Sequence, residues 1–190
     1  MTRLKSDLTV ITVLLEEEEP YRVPVRGRKN GWVGYGMGDA SGDGFGAAFY
    51  IDGVLLFHYG QWTSSISEAS SNYRELRNLV EAFEKHVRER KLKDCEVFLL
   101  IDNLVAENTF YKGISLSETL FNLVLRLRKL ELEGGIILHM IHVSGKRMTA
   151  SGVDALSSGD TTKGVMKRNS MLTYSPFHLG AHQRIQAIIP

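Results

Sequence analysis

At 190 residues the chain is the size of one ordinary domain with extensions, too short for two full domains and long enough to bury a genuine core. Apolar residues make up 43% and charged residues 24%, which excludes a disordered or fibrous chain; a net charge of +1 leaves any nucleic-acid binding to local patches. The single cysteine, Cys95, excludes an internal disulfide framework and reads as a core thiol in a reducing compartment.

Residues 1–31 read as a lead-in segment, with a solvated acidic block at Glu16 to Glu19 and a basic stretch at Arg26, Arg28 and Lys29. Their longest apolar stretch, 8–15, falls far short of the roughly 20 residues that cross a bilayer, and no signal-cleavage pattern follows it. The expectation is a soluble intracellular protein, cytoplasmic or nuclear, with no membrane partner.

From Trp32 the pattern sharpens. Three β-rich segments, 32–40, 45–51 and 54–62, are separated by Ser41-Gly42-Asp43-Gly44 and by Asp52-Gly53, a strong hairpin signal. Ala69, Tyr73, Leu76, Leu79, Val80, Phe83 and Val87 then recur at helical spacing and predict a helix over 68–90. The apolar run 97–101 reads as a buried central strand that ends at Asp102-Asn103. A short helix over 104–111 stops at Gly113, and a longer one begins near Ser115, paired with Glu118 at capping-box spacing, and ends at Gly134-Gly135. A fifth strand over 136–143 and a short helix over 150–156 follow, and residues 160–190 read as a tail or linker. Antiparallel strands first and helical crossovers after predict an α/β fold: a mixed five-stranded sheet with helices on both faces, spanning residues 32–159.

Four acidic residues fall where such a sheet collects catalytic groups. Asp39 ends the first strand and Asp102 the fourth, so parallel neighbouring strands would bring them to one sheet edge. Glu75 borders the apolar stripe of the long helix, and Asp154 lies on the last helix. Carboxylates crowded at a half-buried spot repel one another, and hard divalent cations relieve that repulsion. Two magnesium or manganese ions, about 3.5–4 Å apart, would suit phosphodiester hydrolysis.

These residues resemble a known family. Gly38-Asp39-Ala40-Ser41 with Gly44-Phe45-Gly46-Ala47, then Ser71-Asn72-Tyr73-Arg74-Glu75-Leu76, then Leu100-Ile101-Asp102-Asn103, are similar to the successive motifs of ribonuclease H domains in reverse-transcribing elements. His142-Val143-Ser144-Gly145-Lys146 and Val153-Asp154-Ala155-Leu156-Ser157 resemble the closing strand and helix of the retrotransposon members. The resemblance implies the ribonuclease H fold and endonucleolytic cleavage of the RNA strand of an RNA–DNA hybrid, leaving 3′-hydroxyl and 5′-phosphate ends. It implies two metal ions held by Asp39, Glu75, Asp102 and Asp154, and a reverse transcriptase domain of the same polyprotein as partner.

On the same grounds Ser71 and Asn72 are candidate contacts to substrate, with Asn103 beside them. His142 and Lys146 are candidate auxiliaries, Lys146 standing where cellular enzymes often carry a mobile His. The segment from His142 to Asp154 is longer than the usual retrotransposon version and lacks its Asn, and Ser158 replaces a common Arg.

Other motifs fail in context. Gly34-Tyr35-Gly36-Met37-Gly38 precedes no helix, so it reads as backbone bending rather than a nucleotide loop. An EF-hand at Asp39, Ser41 and Asp43 would place Tyr50 where the loop needs Glu. His178 and His182 lack a partner ligand and carry no role. A 3′–5′ exonuclease would want an acid at Ser41, and an integrase fits the His142 to Ser157 ending poorly. The rival from another class is a catalytically silent scaffold or nucleic-acid-binding connector in a polymerase polyprotein.

Overall fold

The computed structural model describes residues 32–113 and 117–165, together with Leu8, Ile11 and Thr12. The rest of the lead-in segment, Ser115, and residues 166–190 with His178 and His182 lie outside the described residues.

Strands β1 (Val33–Ala40), β2 (Gly44–Ile51) and β3 (Val54–Gln61) form an antiparallel meander. Asp52 and Gly53 close its second hairpin with φ of 48° and 79°, the positive pair that a two-residue turn of matching twist requires. Strands β4 (Glu96–Ile101) and β5 (Ile137–His142) add in parallel beside β1, giving the order β3-β2-β1-β4-β5. The mixed five-stranded sheet expected from the sequence is the one observed.

The long helix begins later than its apolar period suggests. A separate turn, α1 (Ser64–Ser67), comes first, and α2 (Ser71–Arg88) starts where the Ser70 side chain accepts from the Tyr73 amide at 3.3 Å. Helix α3 (Leu104–Lys112) is capped by Asn103, and α4 (Glu118–Gly134) by Ser117, two residues past the expected start; Gly135 ends α4 at φ 61°.

The expected closing helix is broken in two. Helix α5 (Gly145–Ser151) stops at Gly152, whose φ of 82° is left-handed, and α6 (Asp154–Ser157) restarts after Val153. The Gly152 carbonyl accepts from the Val165 amide at 3.2 Å, so a contact distant in sequence braces the break. Packing thus continues past residue 159, and Val165 is fully buried.

Helices lie on both sheet faces. Leu76, Leu79, Phe83, Leu123 and Leu127 pack on Phe49, Leu99 and Met140 in the larger cluster. Met148, Val153, Leu156 and Val165 cover Met37, Ala48 and Leu100 in the smaller. Cys95 is a buried core thiol in the larger one. Among the described residues no helix is long and apolar enough to cross a membrane.

Candidate active site

The parallel register of β1 and β4 builds the site. Met37 pairs with Leu100; two positions further along each chain stand Asp39 and Asp102, at the same sheet edge. Two helices reach that edge from opposite faces, and each does so over a glycine.

On one side, a Cβ at Gly38 would stand 2.7 Å from Leu79 Cδ2 and 3.0 Å from Asn78 Nδ2, so only glycine lets α2 sit this close. Asn78 is fully buried and donates to the carbonyls of Asp39 at 3.0 Å and Gly46 at 2.7 Å. It fastens α2 across β1 and β2 one turn beyond Glu75, which brings the Glu75 carboxyl to the edge. On the other side, a Cβ at Gly46 would overlap Leu156 Cβ and stand 2.8 Å from the Ser157 amide nitrogen. Helix α6 therefore lies on the bare backbone of β2. The glycine run in β1 serves close packing here, not the bending expected from its sequence.

The four acids become electrostatic neighbours. Burial raises the Asp39 carboxyl above its usual range; the Ser157 hydroxyl, donating at 2.7 Å, pulls the other way, and Asp154 and Asp102 push it up again. Burial, and then the charge of Asp102, push Glu75 up to about 7, against a hydrogen bond from Asn103. Asp102 Oδ1 is buried without a partner. Asp154, the first residue of α6, is exposed and faces Asp39.

The remaining sequence candidates separate by surroundings. Ser71 is exposed and Asn72 half-buried in the first turn of α2, one turn before Glu75. Asn103 is 4% exposed and committed inward: its Oδ1 accepts from the Ala106 amide at 2.9 Å, and its Nδ2 donates to the Asn72 carbonyl at 3.2 Å. Its amide orients Glu75 rather than facing solvent. His142 is exposed at the end of β5, with its backbone amide donating to Glu107 Oε1 at 3.0 Å. Lys146 is exposed on α5. The start of that helix passes close to Asp102, since a Cβ on Gly145 would stand 3.6 Å from Asp102 Oδ2.

Two contributors escape a reading by motif. Asn78 interrupts the apolar stripe of α2, and a polar residue in a buried stripe signals a structural hydrogen bond. Ser157 follows Asp154 by one helical turn, so it reaches the edge that Asp154 reaches.

Among the described residues no three His, Cys, Asp or Glu side chains are grouped tightly enough to hold a metal ion as they stand. The donor set nevertheless fits a hard divalent cation: all oxygen, mutually repelling, with one buried carboxylate oxygen lacking any partner.

No family model matches the chain, and no curated protein matches it. Solved structures do. LC11-RNase H1, in complex with an RNA/DNA hybrid, aligns at a TM-score of 0.53 and 20% identity over 73% of this chain and 99% of its own. RNase H1 from the halophilic archaeon Halobacterium salinarum aligns at 0.51 and 18%, over 67% and 95%. The N-terminal RNase H domain of a Mycobacterium tuberculosis protein aligns at 0.50 and 18%, over 67% and 95%. At such identities the likeness is one of fold, and the chain is built on the ribonuclease H fold.

Proposed function

We propose that the chain is a metal-dependent endoribonuclease that hydrolyses the RNA strand of RNA–DNA hybrids. The observation that carries this reading is the set of coupled carboxylates, Asp39, Glu75, Asp102 and Asp154, gathered at one sheet edge with an unpartnered buried oxygen on Asp102. In this reading the four would hold two magnesium or manganese ions. When bound, such a pair activates a water and stabilises the leaving oxygen of the phosphodiester.

The chain's own groups do the rest. Ser71 and Asn72, one turn before Glu75 on α2, would supply polar contacts to the 2′-hydroxyls by which a hybrid differs from DNA. Asn103, by capping α3 and bonding to Glu75, keeps one carboxyl aimed at the edge. Lys146 and His142, both exposed, would in this reading meet phosphate after cleavage.

The five sequence motifs in family order support a retroelement origin, with a reverse transcriptase domain of the same polyprotein as partner and an intracellular setting.

Labelled RNA–DNA hybrid, double-stranded RNA and double-stranded DNA, each offered with magnesium or manganese, test the reading. The expected outcome is cleavage of the RNA strand in the hybrid alone, abolished by chelation. In Asp102→Asn it should fall at least about a thousandfold, since metal-derived stabilisation is worth several kcal/mol. Cleavage by Asp102→Asn at the wild-type rate would overturn the assignment. Hybrid binding with no cleavage by the wild type would favour the silent connector instead.

A further inference from the structure

Ser157 sits where two helices and two strands converge, yet it is neither acidic nor exposed; it is 3% accessible. Its hydroxyl donates to Asp39 Oδ2 at 2.7 Å and is within 2.9 Å of the Asp154 carbonyl, so one proton is divided between the first carboxylate and the helix that carries the last. Its own carbonyl accepts from the Ser41 hydroxyl at 3.0 Å.

Ser41 is anchored in turn. Its Oγ accepts from the Gly44 amide at 3.0 Å, and its carbonyl accepts from Trp62 Nε1 at 3.3 Å. The neighbouring Gly42 carbonyl accepts from the Ser67 hydroxyl at 2.7 Å. The turn after Asp39 is thus tied to Trp62 just past β3, to α1 and to α6 together.

We infer that Ser41 and Ser157 form a two-point clasp that positions Asp39 and Asp154 relative to each other, and so sets how tightly the site takes up a divalent cation. Both are positioning residues. The clasp rests on the nuclease reading above, because it matters only if those carboxylates are ligands. Its physical basis is charge-assisted bonding: the hydroxyl proton on Asp39 Oδ2 fixes that carboxylate's orientation. The other half, Ser41 to the Ser157 backbone, seats α6 on the glycines of β2 and with it the helix start at Asp154. The helix has no side-chain cap of its own at Val153, so beyond the burial of Val153 and Leu156 these polar bonds are what fix its start.

The test is a manganese titration of the whole chain, reading free aquo-manganese by its electron paramagnetic resonance signal, with metal-free melting followed by circular dichroism. Ser157→Ala is expected to weaken manganese binding about tenfold, the lower end for loss of an outer partner of a ligand. Ser41→Ala, which acts through backbone alone, should weaken it about threefold. A serine that is merely structural would lower the melting point and leave the affinity of the folded protein unchanged. Wild-type affinity in folded Ser157→Ala therefore overturns the clasp. Should Ser157→Ala fail to fold, Ser41→Ala decides in the same way: unchanged affinity overturns the clasp and weakened affinity supports it. Absence of manganese binding by the wild type would overturn the nuclease reading itself, a result distinct from either.

Discussion

The two faces of the sheet are built differently. The face under α2 and α4 is dry and large, with Leu76, Leu79, Phe83, Leu99 and Leu127 fully buried and van der Waals contact as its main cement. The face under α5 and α6 carries a smaller cluster whose last helix is seated by serines on bare glycine backbone. Stability is concentrated on the first face, which also delivers Glu75, whereas the placing of Asp154 against Asp39 depends on the second. A domain arranged this way can lose much of its chemistry without unfolding.

Core truncation gives the strongest test of that contrast. Phe83→Ala should cost about 3–5 kcal/mol in a denaturant melt, against about 2–3 kcal/mol for Leu156→Ala, which can relax toward the thinner cover. Under the nuclease reading the order reverses in a hybrid-cleavage assay of folded protein, where Leu156→Ala loses more. Equal losses in both assays would erase the contrast.

Glycine substitutions sharpen it. Gly46→Ala drives a methyl into the backbone of α6 and should cost about 1–3 kcal/mol together with manganese affinity. At Gly38→Ala the methyl meets side chains rather than backbone, Leu79 and the hydrogen-bonded Asn78, so the stability cost falls in that same overpacking range, about 1–3 kcal/mol, without displacing α6.

The pH dependence sets the site against the core. Burial and Asp102 lift Glu75 to about 7 from 4.5, so the native state holds the proton more tightly than the unfolded chain. Without metal, its contribution to stability falls as pH rises from about 4.5 toward 7. His86, buried against Phe49 and pushed down to about 4 from 6.5, acts in reverse, so its contribution rises with pH from about 4 to about 6.5. The two slopes oppose each other where they overlap. Glu75→Gln should uncover the histidine slope, seen as urea midpoints in chelator that climb with pH more steeply than in the wild type. The smallest effect concerns Cys95, whose thiol burial pushes up to about 12; iodoacetamide should label it only after unfolding.

Much of the fold was legible because local chemistry and global fold agree. Asp52-Gly53 made the hairpin, and the spacing of Leu76, Leu79 and Phe83 made the long helix. Asp39 and Asp102 were legible as strand ends. That they are neighbours depended on strand order, which no local pattern contains. The break at Gly152 was hidden because the Val165 bond that braces it comes from outside the local pattern, and the start of α2 because Ser70 outcompetes an apolar period that runs past it. The Gly38 and Gly46 roles were hidden for a related reason: a glycine's missing side chain is informative only once its neighbour is known.

The hydrogen bond from Ser157 to Asp39 joins positions 118 apart in the chain. During synthesis every strand and the whole larger core emerge before that serine does. The carboxylate made first is thus oriented by a residue made after every described strand, so under the nuclease reading competence would report that α6 has been added. A chain cut short before α6 could fold its larger face and stay silent toward nucleic acid.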